Sequence, residues 1–415
     1  MSDPALLRSW RTRILVSTWL AYAGLYFCRK PFFVAKKTLM DDLGLTTGDL
    51  GEIGTAYLVA YAIGQFVNAA VGQKLGARVV LLTGMAISIG CNIAFAFATN
   101  YWTLFAFMTF NGLAQAAGWP AVVGTIGRWT KRAERGTIMG LWGTCYQLGG
   151  VAATAWAGFW LARQGTRGAF LAASSALFLA WVAVFLWQRN KPEDVGLPAI
   201  DDPDEARAGS ADDRAQWTRP LLINLGLIGA CYFGIKFIRY ALWSWAPYLL
   251  ETNFGLAPDD AGYLSTLFDL AGFGGVVIAG IVSDRFFRGH RTVPALAMLG
   301  GMVLGCLMLG LLGSVSLFWF GASLAVIGFM LYGPDSLLSG AGAVDLGSPR
   351  MAVAVAGIIN GMGSVGAVVQ ELIVSRLLDS GSMTPVFMVL GAASVLSLAS
   401  LTVMLLRARS GQSDL

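Results

Sequence analysis

Four basic residues are surrounded by apolar sequence: Arg29, Lys30, Lys236 and Arg239. A charge at mid-bilayer costs about 2.5–3.5 kcal/mol on insertion scales, so each of these needs a partner or a task. Their spacing sets them beside aromatic residues. Tyr22, Tyr26 and Arg29 share one face of a helix, as do Lys236, Arg239, Tyr240 and Trp243. Tyr57, Tyr61 and Gln65 line up in the same way. Cations beside phenol hydroxyls and ring faces suit an anion with a polar organic body. Arginine is the informative choice. Guanidinium keeps its proton when desolvated, and its planar fork gives two parallel hydrogen bonds to a phosphate.

The elements that carry these residues must be membrane helices. The chain has 415 residues, 56% hydrophobic and 13% charged, against about 25% charged in soluble domains. Apolar stretches of roughly 20 residues recur, each long enough to cross the hydrocarbon layer as a helix. Their continuous Gly, Ala and Leu content excludes spanning strands. Twelve spans are expected: 13–35, 51–73, 78–98, 102–127, 137–161, 166–187, 219–249, 261–284, 293–312, 315–340, 352–377 and 383–406. No cleavable leader is expected; the first apolar stretch reads as the first span. Cys28, Cys91, Cys145, Cys231 and Cys306 sit in apolar stretches without metal or disulfide spacing, and read as packing residues.

Charge placement orients the spans. One side receives Arg8, Arg11, Arg13, Lys74, Arg78, Arg128, Lys131, Arg132, Arg135 and further basic residues up to Arg409. The other side receives Lys36, Lys37, Arg163, Arg167 and Arg376. The positive-inside rule puts both termini in the cytoplasm. Residues 188–218 form the long polar insert and read as a solvated linker. The expected division is a six-helix bundle over 1–187, the cytoplasmic linker 188–218, and a second bundle over 219–415.

The halves echo each other weakly. Gly118-Trp119-Pro120 in the fourth span answers Tyr332-Gly333-Pro334 in the tenth. Parallel six-helix halves are the organisation of major facilitator transporters. Arg29 and Arg239 then fall on equivalent helices, and a pseudo-two-fold would point both at one central cavity. The bland alternative is that these cations pair with buried acids: Asp269, Asp335, Asp345 and Glu371 lie in or near later spans. Asp269 is expected as a gating partner of Lys236 or Arg239. Lys30 lies one residue off the Tyr22–Arg29 face and is an open candidate for the cavity. His290 reads as a solvated loop residue. Gly272-Phe-Gly-Gly275 reads as helix packing, there is no Walker motif, and no nucleophile–base–acid set appears. No enzyme activity, cofactor, metal or nucleic acid is expected.

The chain resembles the organophosphate:phosphate antiporter family of the major facilitator superfamily almost end to end. The matching pieces run Tyr22 to Phe32, Asn111 to Pro120, Arg135-Gly136, Trp142 to Gly150, Lys191 to Leu197, Arg239-Tyr240, Tyr263 to Asp269, Ser283-Asp284-Arg285 and Tyr332-Gly333-Pro334. No single piece is specific; their order is. The resemblance implies an all-α membrane protein of twelve helices in two pseudo-symmetric bundles. It implies that Arg29 and Arg239 grip phosphate and that Tyr22, Tyr26, Tyr61 and Tyr332 line the cavity. Arg29-Lys30-Pro31 and Gly333-Pro334-Asp335-Ser336 look closer to the sugar-phosphate branch than to the glycerol phosphate branch. Asp284 and Arg285 are carried over as gating or ion-pair residues.

Departures from the family pattern matter too. Gln65 stands where glycerol phosphate exchangers have a cavity lysine, Tyr146 where they have a histidine, and Lys236 where they have a tyrosine. The loop after the second span has Gln73-Lys74 in place of Asp-Arg. The implied function is exchange of a phosphorylated organic anion for inorganic phosphate by a monomer in the bacterial inner membrane. Two alternatives stay open. One is a sugar-phosphate sensor signalling to a kinase. The other is a proton-coupled anion symporter using Asp269 or Glu371.

Overall fold

In a computed structural model of the chain, residues 4–131, 138, 142–200, 218–287, 292–338, 352–379 and 381–410 are described. His290, Asp345, Arg135-Gly136 and most of the expected linker lie outside them, as does the side chain of Asp284. Among the described residues the regular structure is helical. The reason is physical: in lipid every backbone polar group needs an internal partner, and a helix supplies it within one segment.

The first half contains α1 (Pro4–Phe27), α2 (Lys30–Val34), α3 (Lys36–Leu43), α4 (Thr47–Leu75) and α5 (Ala77–Phe95). It continues through α6 (Tyr101–Gln115), α7 (Gly118–Trp129) and α8 (Thr144–Trp187). The second half contains α9 (Arg219–Phe254), α10 (Pro258–Phe286), α11 (Thr292–Leu312), α12 (Leu317–Ser336), α13 (Ala352–Leu378) and α14 (Thr384–Arg409). Among the described residues, eight helices are long and apolar enough to cross a membrane. One of them, α8, covers two of the expected spans. It breaks at Gly165, whose φ of 65° and ψ of −166° no helix allows.

Local signals set the ends. Asn100 caps α6 by accepting from the Thr103 amide at 3.0 Å, and Ser316 caps α12 by accepting from Trp319 at 3.4 Å. Gly44 and Gly255 close α3 and α9 in the left-handed conformation. Inside the helices, Thr18, Thr154 and Ser174 donate their hydroxyls to carbonyls one turn back. A polar side chain is thereby tolerated in apolar surroundings.

Two compact units result. The first is Met1–Leu45, Ala56–Asp212 and Ala257–Gly262; the second is Thr46–Thr55, Asp213–Leu256 and Tyr263–Leu415. Within the first, α1 packs on α8 and α5 packs on α6. Within the second, α9 packs on α13 and on α14, and α11 packs on α12. First-with-fifth and third-with-fourth pairing thus recurs in each unit, the structural form of the weak sequence echoes. Large apolar side chains such as Leu311, Phe318 and Trp102 are exposed, as a lipid-facing surface requires.

Three expectations are corrected. The first span does not run unbroken to residue 35. Pro31 has no amide hydrogen and clashes with the preceding turn, so α1 ends at Phe27 and Arg29 stands just before the short α2 without a side-chain capping bond. Lys36 is not a loop charge: it opens α3, is fully buried, and its Nζ lies 5.3 Å from the Phe33 ring. The first residues of the expected linker are not solvated. Gln188 is fully buried, and Val195 and Leu197 pack with Ile14, Trp129, Leu7 and Trp10. The Asp194 carboxylate accepts from the Asn190 amide at 2.9 Å and the Lys191 amide at 3.2 Å, closing the turn Pro192–Val195.

Close packing of α1 on α8 depends on Gly149, where a Cβ would stand 2.8 Å from the Ala23 Cα. Gly149→Leu is expected to cost about 1–3 kcal/mol through overpacking. The check is a thermal melt of the detergent-solubilised protein, with a clear fall in midpoint and Gly149→Ala falling less.

Candidate functional site

Arg29 owes its position to the break between α1 and α2. Ending α1 at Phe27 leaves carbonyls in its last turn and at Cys28 just beyond it without helical partners. Side-chain amides from neighbouring helices take them. Asn92 and Asn111 each donate to the Cys28 carbonyl at 2.9 Å, and Gln115 donates to the Leu25 carbonyl at 3.1 Å. The same Gln115 then holds the arginine: its Oε1 accepts from Arg29 Nε at 2.9 Å and from the Tyr57 hydroxyl at 3.0 Å. Ser88 ties the amides together, accepting from Gln115 at 3.0 Å and donating to Asn111 at 2.6 Å.

Three phenol rings surround the guanidinium. Its Cζ lies 4.9 Å from the Tyr26 centroid, 5.0 Å from Tyr61 and 5.8 Å from Tyr57. Such contacts steady a cation without neutralising it. Tyr22 extends the aromatic wall, with Tyr146 at 5.1 Å, Trp142 at 5.3 Å and Trp119 at 6.0 Å, each roughly edge-on. Trp142 is anchored by donating to the Thr18 hydroxyl at 3.3 Å. Arg29 is 7% exposed and Trp119 37% exposed. The arrangement is a held, charged fork beside a wall of rings. Lys30 is buried at the first position of α2. Gln65 is half-buried on α4, two turns beyond Tyr57.

The second unit is built differently. Arg239 sits in the unbroken α9 and donates from Nη1 to Asp335 Oδ2 at 2.6 Å. Lys236 Nζ lies 3.5 Å from the other oxygen of Asp335. The Arg239 guanidinium also covers the Tyr332 ring at 4.5 Å. Tyr332 donates its hydroxyl to Asp269 at 2.5 Å, and Gly272 leaves its ring room. Gly363 does the same for Lys236, whose Cγ would be 2.9 Å from a Cβ there. Lys236 also lies 5.1 Å from the Tyr232 ring and 5.9 Å from the Tyr240 ring.

The unit therefore brings together Lys236, Arg239, Tyr332 and Asp269, as the sequence grouped them, with a different wiring. The carboxylate between Lys236 and Arg239 is Asp335, whereas Asp269 takes the Tyr332 hydroxyl. Arg285 is exposed in the last turn of α10. Glu371 is fully buried and accepts from Ser244 at 2.8 and 3.1 Å, from Trp245 Nε1 at 3.2 Å and from Gln370 at 2.9 Å. Gln115 and Trp142 were absent from the residues expected at the site. A neutral amide inside an apolar helix was the one available signal for Gln115, since such a group needs partners.

The fold is one already seen in solved membrane proteins. A bacterial homologue of the human lysosomal transporter Spinster superposes with a TM-score of 0.74 over 99% of this chain and 98% of that one, at 15% identity. A peptide transporter of the POT family, solved with sulfate, gives 0.77 over 96% and 94%, at 12% identity. The sequence pattern of the Major Facilitator Superfamily matches residues 18–370. The membrane sensor protein UhpC of Escherichia coli is 28% identical over 95% of this chain and 92% of its own. Sugar phosphate exchanger 3 of Gallus gallus is 30% identical over 80% and 74%. The glycerol-3-phosphate transporter of Bacillus subtilis is 27% identical over 86% and 83%. The chain belongs to the Major Facilitator Superfamily, in its organophosphate:phosphate antiporter family. It is a multi-pass membrane protein and not an enzyme.

Removing Gln115 tests the scaffold under Arg29. Gln115→Leu strands the Arg29 and Tyr57 donors, the Leu25 carbonyl of α1 and the Ser88 hydroxyl of α5, a loss of about 1–3 kcal/mol for each buried group left unmatched. A lower melting midpoint together with weaker phosphate binding by calorimetry is the expected result.

Proposed function

We propose that the protein carries a phosphorylated organic anion across the bacterial inner membrane in exchange for inorganic phosphate, by alternating access. Twelve membrane crossings with both termini in the cytoplasm, and a monomeric carrier in the lipid bilayer, complete this reading. The phosphoryl group is taken by the guanidinium groups of Arg29 and Arg239, helped by Lys236. Lys30 is assigned to the same cationic set. Tyr22, Tyr26, Tyr61, Gln65, Tyr146 and Tyr332 supply hydroxyl, amide and ring contacts to ester and organic body. Asp269, Asp284 and Arg285 are assigned to gating contacts. The single observation that carries the reading is the Arg29 site: a buried guanidinium held in place by one neutral amide and framed by three phenols.

That geometry favours an anion for a simple reason. A fixed cation in low dielectric attracts a dianion strongly, and its donors are aimed before the ligand arrives, which lowers the ordering cost of binding. The relatives named as carriers of sugar phosphate and of glycerol-3-phosphate agree with it. The second reading, a sugar-phosphate sensor, is supported by the likeness to UhpC. Labelled phosphate counterflow in proteoliposomes separates the two: a carrier exchanges without a pH gradient, whereas a sensor binds and moves little.

Arg239→Lys is expected to reduce phosphate exchange to background while the protein stays folded, because a point charge cannot reproduce the fork. Wild-type exchange rates in that variant would remove Arg239 from the site. Topology has its own check. A green fluorescent protein fused after Leu415 is expected to fluoresce in whole cells, and a periplasmic reporter at the same place to stay inactive.

A further inference from the structure

The ion triad of the second unit shows what an arriving phosphate must overcome. Asp335 lies between two cations, bonded to Arg239 at 2.6 Å and 3.5 Å from Lys236, and it is 7% exposed. Across the triad, Tyr332 of α12 and, through its hydroxyl, Asp269 of α10 complete the charged surroundings. Pro334 immediately precedes Asp335 inside α12, so the carboxylate sits where a proline removes a backbone hydrogen bond and loosens the helix.

We propose that Asp335 is an internal stand-in for the substrate's phosphoryl group, and that its displacement selects dianions over monoanions. The inference rests on Lys236 and Arg239 being the phosphate-binding cations of this unit. Asp335 presents one formal negative charge on two oxygens, each facing a different cation. It is tethered, so it competes at a high effective concentration and loses little freedom on rebinding. A free monoanion offers no more Coulomb attraction than the tethered carboxylate and must still give up its translational freedom. It cannot win the exchange. A phosphate monoester carries about 1.5–2 negative charges at neutral pH and three strong acceptor oxygens. It can bind both cations bidentately, and its extra charge offsets both the displaced aspartate and the cost of association. The residue therefore sets the charge of the substrate and leaves its organic body to other contacts.

The experiment is inhibition of labelled phosphate exchange in proteoliposomes at pH 7.5 by two minimal probes, methyl phosphate and dimethyl phosphate. They share a phosphoryl core and differ in charge. Wild type is expected to be inhibited by methyl phosphate and hardly at all by dimethyl phosphate. In Asp335→Asn the preference for the monoester should shrink by about tenfold, with phosphate itself binding more tightly. Asp335→Glu, which keeps the carboxylate, should retain the preference. A merely structural aspartate would change protein yield and leave the ratio between the two probes alone. Equal inhibition of the wild type by both probes overturns the proposal whatever the variants do. An unchanged ratio in folded Asp335→Asn overturns it as well. These results are distinct from failure of the underlying site: if Arg239→Lys exchanges like wild type, the phosphate-binding assignment falls. If Arg239→Lys is inactive and the Asp335→Asn ratio does not move, only the stand-in falls.

Discussion

A guanidinium cannot shed its proton to escape an apolar environment, and the architecture of each unit follows from what is placed against it. In the first unit, Arg29 receives an amide oxygen and three rings. In the second, Arg239 receives a carboxylate. Isolated ions in low dielectric are costly to leave bare. The two units solve that problem in different ways, one by polar and π contact alone, the other by a carboxylate shared between Arg239 and Lys236. Equivalent helices of a repeated fold thus carry the same residue type with different electrostatic reach.

The support for these arginines extends well beyond their immediate neighbours. Breaking α1 after Phe27 exposes backbone carbonyls, and Asn92, Asn111 and Gln115 supply the donors. The amide that repairs the helix end is also the amide that aims the guanidinium. Fold stability and site geometry are coupled there through one side chain. In the second unit small residues do the comparable work. Gly272 and Gly363 leave space for the Tyr332 ring and the Lys236 stem, and the charged heads meet because nothing bulky keeps them apart.

Much of this was legible in the residues. Continuous apolar stretches predicted the helices and charge bias their orientation, and Arg29 and Arg239 stood out because ionised groups are rare in such segments. What escaped notice did so for identifiable reasons. Lys36 adjoins Lys37, and two lysines in a row read as a loop, yet the chain turns between α2 and α3 and buries the first of them. Pro31 lies inside the expected first span, and nothing in the sequence said which distant amides would take the carbonyls released where it breaks the helix. Gln115 is neutral and hydrogen-bonds through its side chain alone, so no charge signal marked it. Asp335 was visible only as one of several acids; choosing it over Asp269 requires the packing of α12 against α9. Residues 188–197 looked polar because Lys191, Glu193 and Asp194 dominate the composition, while Val195 and Leu197 supply the contacts that dock it.

The corner at Gly165 bears on how motion is passed within the first unit. One residue turns the chain between the two arms of α8, with helix on either side and no loop between them. An elbow without slack cannot absorb a displacement. Both arms pack against α1, Gly149 beside Ala23 on one and Ala180 beside Gly24 on the other, so tilt of either arm bears on the same helix and on the docked segment that follows Trp187. A rearrangement begun beside Tyr146 therefore has a stiff mechanical route to the stretch that leaves the bundle.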